Sequence, residues 1–330
     1  MSDTNDTGES DGAPFTFTDR TVLLGIDIGG TKIAAGLVDA ATGEVLHFQR
    51  IPTNAHQGGE EVLERAIEMA RTLVGEGLLK DIPLPVAIGV GAGGQIDPST
   101  GVVLSATDIL PGWAGTPLLN LVEDAFGLPV AVDNDVNALG SGESLFGAGQ
   151  GSLNVVFLAL GTGVGGAIIA NGELYHGARG AGGELGHLIL HPDGPAYGSD
   201  GERGTLEYYT NGAALVRTFQ KLGGDPSLDG VAIGILARQD PDSPAAKAVH
   251  QIGQSLGLGI ASLANLFDPD LFIIGGGMAD LGDLLLLPAC AVLAERALPI
   301  VRHTPIVCAA LGADASIVGA ASLALSLADR

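Results

Sequence analysis

Short apolar runs separated by glycine-rich turns open the chain and predict strands. Order is expected to begin at Thr21 with the run VLLGIDIGG, and the runs IAAGLVD and EVLHFQR follow it. Apolar runs joined by Gly-Gly and Thr-Gly turn signals are typical of β-hairpins. The sequence after Thr21 therefore predicts an antiparallel meander of three strands.

A second kind of pattern, with apolar residues three and four positions apart, predicts helices. It covers Glu60–Leu79, and it returns at residues 117–126, 244–267 and 316–327. The buried strands VAIGVG and PVAVDND lie on either side of the helix at 117–126. Strands and helices thus alternate as in a mixed α/β sheet.

The strand pattern returns in the second half of the chain. From Leu153, the sequence NVVFLALGTGVGGAIIANGELYHG has the order strand, glycine hairpin, strand, turn and strand, and Leu271–Ile274 predicts a further buried strand. The chain therefore looks like a diverged duplication. Its 330 residues are enough for two packed lobes with separate cores.

Charge and composition narrow the function classes. The formal net charge is −23, from 38 acidic and 15 basic residues, so we expect neither nucleic acid nor anionic membranes as partners. Residues 1–20 predict a disordered acidic tail. Cys290 and Cys308 lie in apolar segments, which favours buried free thiols. Without a leader pattern or an apolar run long enough to span a bilayer, we expect a cytoplasmic protein.

Two glycine-rich turns are candidate phosphate-binding loops. They are Asp27-Ile28-Gly29-Gly30-Thr31-Lys32 and, in the same position of the second meander, Gly161-Thr162-Gly163-Val164-Gly165-Gly166. Backbone amides at glycines can approach a phosphate closely, and Asp27 can hold a magnesium ion through water. The alternative is that the glycines only close hairpins. Neither turn is a Walker loop or a dinucleotide fingerprint, because a strand follows each of them.

A third glycine run, Gly275-Gly276-Gly277, follows the last buried strand. It offers a flat surface for an adenine ring or a ribose, or it permits close packing of a helix on the sheet. The segment Asp133-Asn134-Asp135 also follows a buried strand and enters a helix. There Asp135 can accept a hydroxyl proton, while Asp133 or Asn134 caps the helix.

Two further acids and a histidine are candidate contacts for substrate hydroxyls. Glu184 and His187 are three residues apart, hence on one side of a turn, and Glu207 precedes two tyrosines. A histidine in a glycine-rich loop is also a common structural hydrogen-bonding group. The pair therefore predicts a hydroxyl contact only in combination with its neighbours.

Taken together, DIGGTK, DNDVNALGSGE, LGTGVGG, GGELGH, Glu207 and IIGGG resemble the ROK family in order and spacing, over nearly the whole chain after Arg20. That family contains bacterial glucokinases, fructokinases, N-acetylhexosamine kinases and sugar-responsive repressors. The resemblance implies an α/β, two-lobed, actin-like ATPase fold with a nucleotide and sugar cleft between the lobes. It implies an ATP-dependent and magnesium-dependent kinase acting on the 6-hydroxyl of a hexose, with glucose favoured.

The resemblance also implies roles and boundaries. Asp135 is the implied general base, and the implied lobes are 21–133 with the terminal helix 316–330, and 134–315, in a homodimer. The implied sugar contacts are Gly94, Asp108, Asn134, Asp135, Glu184, His187 and Glu207. The implied contacts for ATP and magnesium are Asp27, Gly29, Gly30, Thr31, Lys32, Gly161, Thr162, Gly163, Gly165, Gly275, Gly276 and Gly277.

Two departures from the family pattern affect these expectations. Gly198, Asp200 and Thr205 stand where the family often has zinc-binding cysteines, so we predict no zinc. Ile109 aligns with an asparagine that contacts sugar in family glucokinases, unless Asp108 takes its place. A polar contact discriminates between sugars more sharply than an apolar one, so fructose, mannose and N-acetylmannosamine stay alternatives to glucose.

Two other function classes remain open. Some members of the family are non-catalytic sugar-responsive repressors, but those carry an N-terminal DNA-binding domain, and this chain has a short acidic tail there. A kinase that uses polyphosphate instead of ATP predicts a basic track along the cleft, contrary to the charge of −23.

Overall fold

The computed structural model describes residues 20–106, 110–197 and 201–328, and two five-stranded sheets organise them. The strands are β1 (Val22–Ile28), β2 (Lys32–Asp39), β3 (Val45–Pro52), β4 (Ala87–Ala92), β5 (Gln95–Ile96), β6 (Val103–Ser105), β7 (Val130–Asn134), β8 (Val155–Leu160), β9 (Val164–Ala170), β10 (Glu173–Leu174), β11 (Ala196–Tyr197), β12 (Glu202–Arg203), β13 (Leu271–Gly275) and β14 (Ile306–Cys308).

Helices cover both large sheets. They are α1 (Gly59–Leu78), α2 (Leu118–Phe126), α3 (Asp135–Phe146), α4 (Leu206–Thr210), α5 (Gly212–Lys221), α6 (Gly230–Gln239), α7 (Pro244–Phe267), α8 (Asp283–Arg296) and α9 (Ala315–Ser322). Short 3-10 turns lie at Ala55–Gln57, Leu185–His187, Gly277–Leu281, Gly312–Asp314 and Leu325–Leu327. The predicted alternation of strands and helices is therefore confirmed.

The first large sheet has the strand order β3-β2-β1-β4-β7. Strands β1, β2 and β3 pair antiparallel, which confirms the predicted meander, and β4 and β7 add in parallel to β1. Alternate residues of β1 face two different helices: Leu24 packs in one cluster with Leu63 of α1, and Leu23 packs in another with Ile317 of α9. Burial on both faces explains why β1 is a continuous apolar run.

The second large sheet repeats this topology, with the order β10-β9-β8-β13-β14. Here β8, β9 and β10 pair antiparallel, while β13 and β14 add in parallel to β8. Helix α7 buries Leu256 against one face of the sheet, and α3 packs Leu139 against the other. The matching order and orientation of strands agree with the predicted duplication.

Helices α3 and α9 join the two sheets. Helix α9 contacts β1, β2 and β4, helix α3 contacts β8 and β9, and the two helices pack on each other. Their backbones approach at two glycines, since a Cβ added to Gly142 would lie 2.8 Å from the Cα of Gly319. The hydroxyl of Ser322 also donates to that of Ser141 at 2.8 Å. Small residues thus set the contact between the halves.

Two predictions about the C-terminal segments are wrong. The helix expected over 316–327 ends at Ser322, because the following amides of Leu323 and Ala324 bond three residues back, in the tighter 3-10 pattern. The thiols of Cys290 and Cys308 are free, as predicted, but each is half-buried because its helix or strand lies at the rim of the core.

Among the described residues, no helix has the length and hydropathy to span a membrane.

Candidate active site

The first glycine hairpin joins β1 to β2, where Ile28 pairs with Ile33. Within the turn, the amide of Gly29 donates to the carbonyl of Lys32 at 3.1 Å. Thr53, fully buried at the end of β3, fixes the turn from outside: its hydroxyl donates to the carbonyl of Gly29 at 2.6 Å, and its amide to that of Thr31 at 3.0 Å. Sequence reasoning missed Thr53, which no local motif distinguishes.

The tips of both hairpins face solvent. The exposed positions are Gly30, Thr31, Lys32 and Thr162. Because these turns project from the ends of strands, their amides and hydroxyls are accessible to a phosphate-bearing ligand.

The second hairpin joins β8 to β9, where Leu160 pairs with Val164. The amide of Gly161 donates to the carbonyl of Gly163 at 2.9 Å. Glu207, at the start of α4, supports this turn because its carboxylate accepts the amide of Val164 at 2.8 Å. A Cβ on Gly163 would lie 2.7 Å from that carboxylate, so a larger residue would displace the Glu207 side chain. The predicted sugar contact Glu207 therefore also anchors the second loop.

Asp27 lies at the end of β1 beside the first hairpin and is 8% exposed. Burial raises the pKa of Asp27 to about 6, against a hydrogen bond from Ser316, and the negative charge of Asp135 raises it further. The nearby cations of Lys32 and Arg50 lower it only in part. A buried carboxylate beside the hairpin suits a hydrated magnesium ion, which prefers carboxylate oxygens.

Asp135 is the first residue of α3, immediately after the cap of that helix. Asn134 is the cap, since its side-chain oxygen accepts the amides of Val136 at 2.9 Å and Asn137 at 3.3 Å. Burial raises the pKa of Asp135, although the amide of Val136 donates to its carboxylate at 2.9 Å. A carboxylate with a raised pKa is a stronger base, as proton abstraction at neutral pH requires.

Asp135 and Asn134 face the loop that precedes β5. A Cβ on Gly93 would lie 4.0 Å from the carboxylate of Asp135, and the amide of Asn134 donates to the carbonyl of Gly94 at 2.9 Å. The indole of the buried Trp113 donates to the carbonyl of Gly93 at 3.0 Å. The loop that carries the predicted sugar contact Gly94 is thus held directly against the segment that carries the candidate base.

A small cavity of about 80 Å³ opens between the two sheets at this point. Asn134 and Gln95 line it from the side of the first sheet, and Glu184 lines it from the second. The remaining lining residues are Val136, Asn137, Gly165, Gly166, Gly180, Gly182 and Gly183. Polar side chains and glycine backbones around a small cavity suit a ligand with many hydroxyl groups.

His187 lies beside this cavity in a carboxylate-rich turn. Its ring is 3.8 Å from the carboxylate of Glu184, and its other nitrogen bonds Glu202 of β12. Burial lowers the pKa of His187, but the carboxylates of Glu202, Glu184 and Glu207 together raise it above its ordinary value. The structure therefore brings Glu184, His187 and Glu207 together, and it adds Glu202, which sequence reasoning missed.

In the third glycine run, two glycines pack closely against the sheet and one is open. A Cβ on Gly276, whose φ is 79°, would lie 2.3 Å from the carbonyl of Leu160, so this glycine packs against the end of β8. Gly275 packs on Phe157 in the same way. A Cβ on Gly277 would meet open space, which leaves that position accessible to a ligand.

Some sequence expectations fall outside the described residues, namely those on Asp108, Ile109, Gly198 and Asp200. Thr205 is described, and its hydroxyl caps α4 by accepting the amide of Tyr208. Over residues 20–106, 110–197 and 201–328, no cluster of three or more His, Cys, Asp or Glu has the arrangement of a metal site. The absence of zinc stays a prediction.

Comparison with known proteins assigns this arrangement to a family. The model of the ROK family matches residues 23–326. A glucokinase of Streptomyces coelicolor is 38% identical over 323 residues, covering 92% of this chain and 97% of that protein. The crystal structure of a ROK hexokinase from Thermus thermophilus is 34% identical, with a TM-score of 0.78 over 94% of this chain and 100% of that chain.

A second solved structure is similar in sequence and in fold. It is a ROK family glucokinase from Streptomyces griseus in complex with glucose and AMPPNP, with 36% identity and a TM-score of 0.75. The match covers 92% of this chain and 98% of that chain.

Proposed function

The chain belongs to the ROK family and shares its two-lobed, actin-like α/β fold, and we propose that it is an ATP-dependent glucokinase with Asp135 as general base. The relatives named glucokinase match nearly the whole chain, so their activity is the one best supported. The observation that carries the proposal is the convergence of two carboxylates, Asp27 beside a phosphate-type hairpin and Asp135 beside a hydroxyl-suited cavity.

In the proposed reaction, the cavity beside Asn134 and Glu184 holds glucose, and its 6-hydroxyl points towards Asp135. As the hydroxyl oxygen attacks the γ-phosphorus of ATP, the carboxylate of Asp135 accepts the hydroxyl proton, and ADP leaves. Glu184, His187 and Glu207 bind the other hydroxyls. Positioning of the two substrates across the cleft supplies most of the acceleration.

Phosphate binding is the second part of the proposal. The two hairpins hold the phosphates of ATP through their amides and threonine hydroxyls, and Gly277 lies against the adenosine. Asp27 would hold magnesium through water, and the bound ion would neutralise negative charge on the phosphates. The burial of Asp27 beside the first hairpin supports this role.

An assay of ADP release, with ATP, magnesium and a panel of hexoses, amino sugars and N-acetyl sugars, tests the proposal. We expect glucose to give the highest kcat/KM, and Asp135→Asn to lower kcat by ~10²–10⁴ with a smaller effect on glucose binding. Asp97→Asn is the matched control, because Asp97 is a partly exposed turn residue that accepts the amide of Ser99. A folded Asp135→Asn variant with normal turnover would exclude the proposed base.

The same assay separates the other classes. Activity with polyphosphate but not with ATP would show that polyphosphate is the phosphoryl donor. Inactivity towards every sugar would favour a sugar sensor. Preference for fructose, mannose or N-acetylmannosamine would change the acceptor while leaving the kinase chemistry in place.

Boundaries, assembly and location complete the proposal. We assign 21–133 with 316–330 to one lobe and 134–315 to the other; the packing of α9 on β1, β2 and β4 supports the first assignment. The predicted tail at 1–20 lies outside the described residues except for Arg20. A homodimer is proposed from the family resemblance, and a cytoplasmic location is proposed from the two free thiols, which suit a reducing compartment. Light scattering of the purified protein tests the dimer, and cell fractionation tests the location.

A further inference from the structure

Asp133 occupies the edge of the first sheet, one residue before the cap of α3, and both of its carboxylate oxygens are engaged. One oxygen accepts the amide of Asn134 at 2.7 Å and the side chain of Asn137 at 2.8 Å. The other lies 2.5 Å from the ring nitrogen Nε2 of His176. Asp133 is 7% exposed, so these partners account for a buried carboxylate that the proposed chemistry does not use.

His176 lies on the side of the second sheet. It follows β10, the edge strand of that sheet, and begins the loop that leads through Gly180 and Gly182 to Glu184. The amide of Gly182 donates to the carbonyl of His176 at 2.8 Å, and a Cβ on Gly182 would lie 2.7 Å from the carbonyl carbon of His176. A shift of His176 would therefore move Gly182, one of the glycines that line the cavity.

The bond between His176 and Asp133 crosses from one sheet to the other at the cavity. On the first-sheet side, Asp133 orients Asn134, the neighbour of the candidate base. On the second-sheet side, the loop of His176 carries Glu184, which lines the same cavity. A second contact supports the approach, because a Cβ on Gly180 would lie 2.9 Å from the carbonyl of Ile96.

We propose that His176 is a positioning residue for phosphoryl transfer: through Asp133 it fixes the distance between the sugar-binding loop and the base. The inference rests on the proposed function. A sugar held by the loop at Glu184 reaches Asp135 in the correct orientation only when the two sheet edges are tied. Loss of the tie misplaces the sugar relative to the base, while the nucleotide hairpins keep their own supports at Thr53 and Glu207.

Hydrogen-bonded pairs at sheet edges also serve stability alone, and two amide variants separate the two roles. In His176→Gln, the side-chain amide reaches the position of Nε2 and can donate to Asp133. In His176→Asn, the amide is one methylene shorter and cannot. Both replacements are neutral and polar, so a role limited to folding predicts similar kinetics for the two folded variants.

Steady-state kinetics with glucose and ATP is the test, with thermal unfolding of each variant as the check on folding. We expect His176→Asn to raise KM for glucose and to lower kcat, with a combined loss of about 10-fold to 100-fold in kcat/KM for glucose. His176→Gln should recover activity to within about threefold of the original enzyme, within the scatter expected of a retained neutral bond. KM for ATP should stay unchanged in both.

The exposed His250 on α7 provides the control, and His250→Asn should leave every constant unchanged. Normal kcat/KM in His176→Asn, or an equal loss in His176→Gln, would overturn the inference. A rise in KM for ATP as large as that for glucose would also overturn it, because it would indicate general loosening. Inactivity of the original enzyme with every sugar would instead refute the proposed function.

Discussion

The two glycine hairpins occupy equivalent places in two sheets of the same topology, yet they handle charge in different ways. In the first, Asp27 stands in the strand opposite Ala34, whereas the equivalent residue of the second is Ala159, opposite Gly165. The second hairpin obtains its carboxylate from outside, because Glu207 of α4 accepts the amide of Val164. Of the two hairpins, only the first therefore has a carboxylate on its own strand next to the turn.

The turns also differ in length and support. Residues 29–32 separate the paired Ile28 and Ile33, while residues 161–163 separate Leu160 and Val164, so the first turn is one residue longer. Thr53 supports the first turn through hydrogen bonds to carbonyls, and Glu207 supports the second through an amide. The difference fits the proposed roles, in which the first hairpin attracts a cation and the second holds its amides in place.

The strongest test of this division is Asp27→Asn, which keeps the shape of the side chain and removes its charge. We expect kcat/KM for ATP with magnesium to fall by about 10²–10³, the range for losing one preorganised electrostatic group. Asp39→Asn is the matched control, a buried carboxylate at the far end of β2. Activity within a few-fold of normal in Asp27→Asn would show that the hairpins do not differ in this way.

A glycine pair tests the support of the second hairpin. Gly276→Ala forces a Cβ towards the carbonyl of Leu160 at a φ of 79°, and we expect it to lower the free energy of unfolding by about 1–3 kcal/mol. Gly277→Ala meets open space and should stay within about 0.5 kcal/mol of the original. Urea unfolding measures both, and equal stability of the two variants would contradict the packing argument.

The pH dependence of the first hairpin follows from Asp27, whose pKa is raised to about 6 mainly by burial. Below that pH the carboxylate is protonated in the free enzyme, so kcat/KM for ATP should fall about tenfold by pH 5. The free energy of unfolding should change with pH in the opposite direction. Because the folded protein holds this proton more tightly than the unfolded chain, the free energy of unfolding should decrease as the pH rises from about 4 to about 6.

The free energy of unfolding should decrease by about 3 kcal/mol over this pH range, because the pKa of the Asp27 carboxyl is raised from 3.8 to about 6 on folding. Asp27→Asn removes the proton-binding group and should remove this part of the slope in both profiles. Urea unfolding of the free protein and ATP kinetics across pH 4.5 to 8 measure the two effects, and parallel rather than opposite trends would refute the assignment.

The smallest expected effect concerns Glu207, whose carboxylate supports the second hairpin. Glu207→Gln keeps an oxygen that can accept the amide of Val164 but loses the charge, which corresponds to about 1 kcal/mol. We expect kcat/KM for ATP to fall about fivefold, and Glu173→Gln, at an exposed position of β10, to change nothing. A loss of kcat/KM for ATP as large as that expected for Asp27→Asn would show that the second hairpin needs its carboxylate charge as much as the first, which would contradict the proposed difference between them.

Much of the fold could be predicted because burial leaves a direct mark on sequence. The run of β1 is apolar at nearly every position since both faces are covered, and the stripe of α7 between Pro244 and Phe267 gives the helix its predicted bounds. The end of α9 could not be predicted. The apolar composition continues past Ser322, while the change from helical to 3-10 bonding depends on local packing rather than on composition.

The candidate site was predictable where its residues form local motifs, and not where single residues arrive from distant segments. Asp135 follows a strand and Asn134 caps a helix, so both carry a local signal. Thr53, Ser316 and His176 complete the site from other elements, and nothing in their neighbouring sequence indicates their partners. Their roles become visible only when the two sheets are assembled.

The position of α9 has a consequence for how the protein is made. Strands from the beginning of the chain enclose a helix from its far end: Cβ atoms on Gly25 and Gly89 would lie 2.3 Å and 1.8 Å from the backbone of that helix. Nascent domains usually fold in order of synthesis. Here α9 is synthesised last, so a chain stalled before Ala315 would lack both the helix that covers this face of the first sheet and the hydroxyl of Ser316 beside Asp27. Completion of translation and assembly of the candidate phosphate site would thereby be coupled.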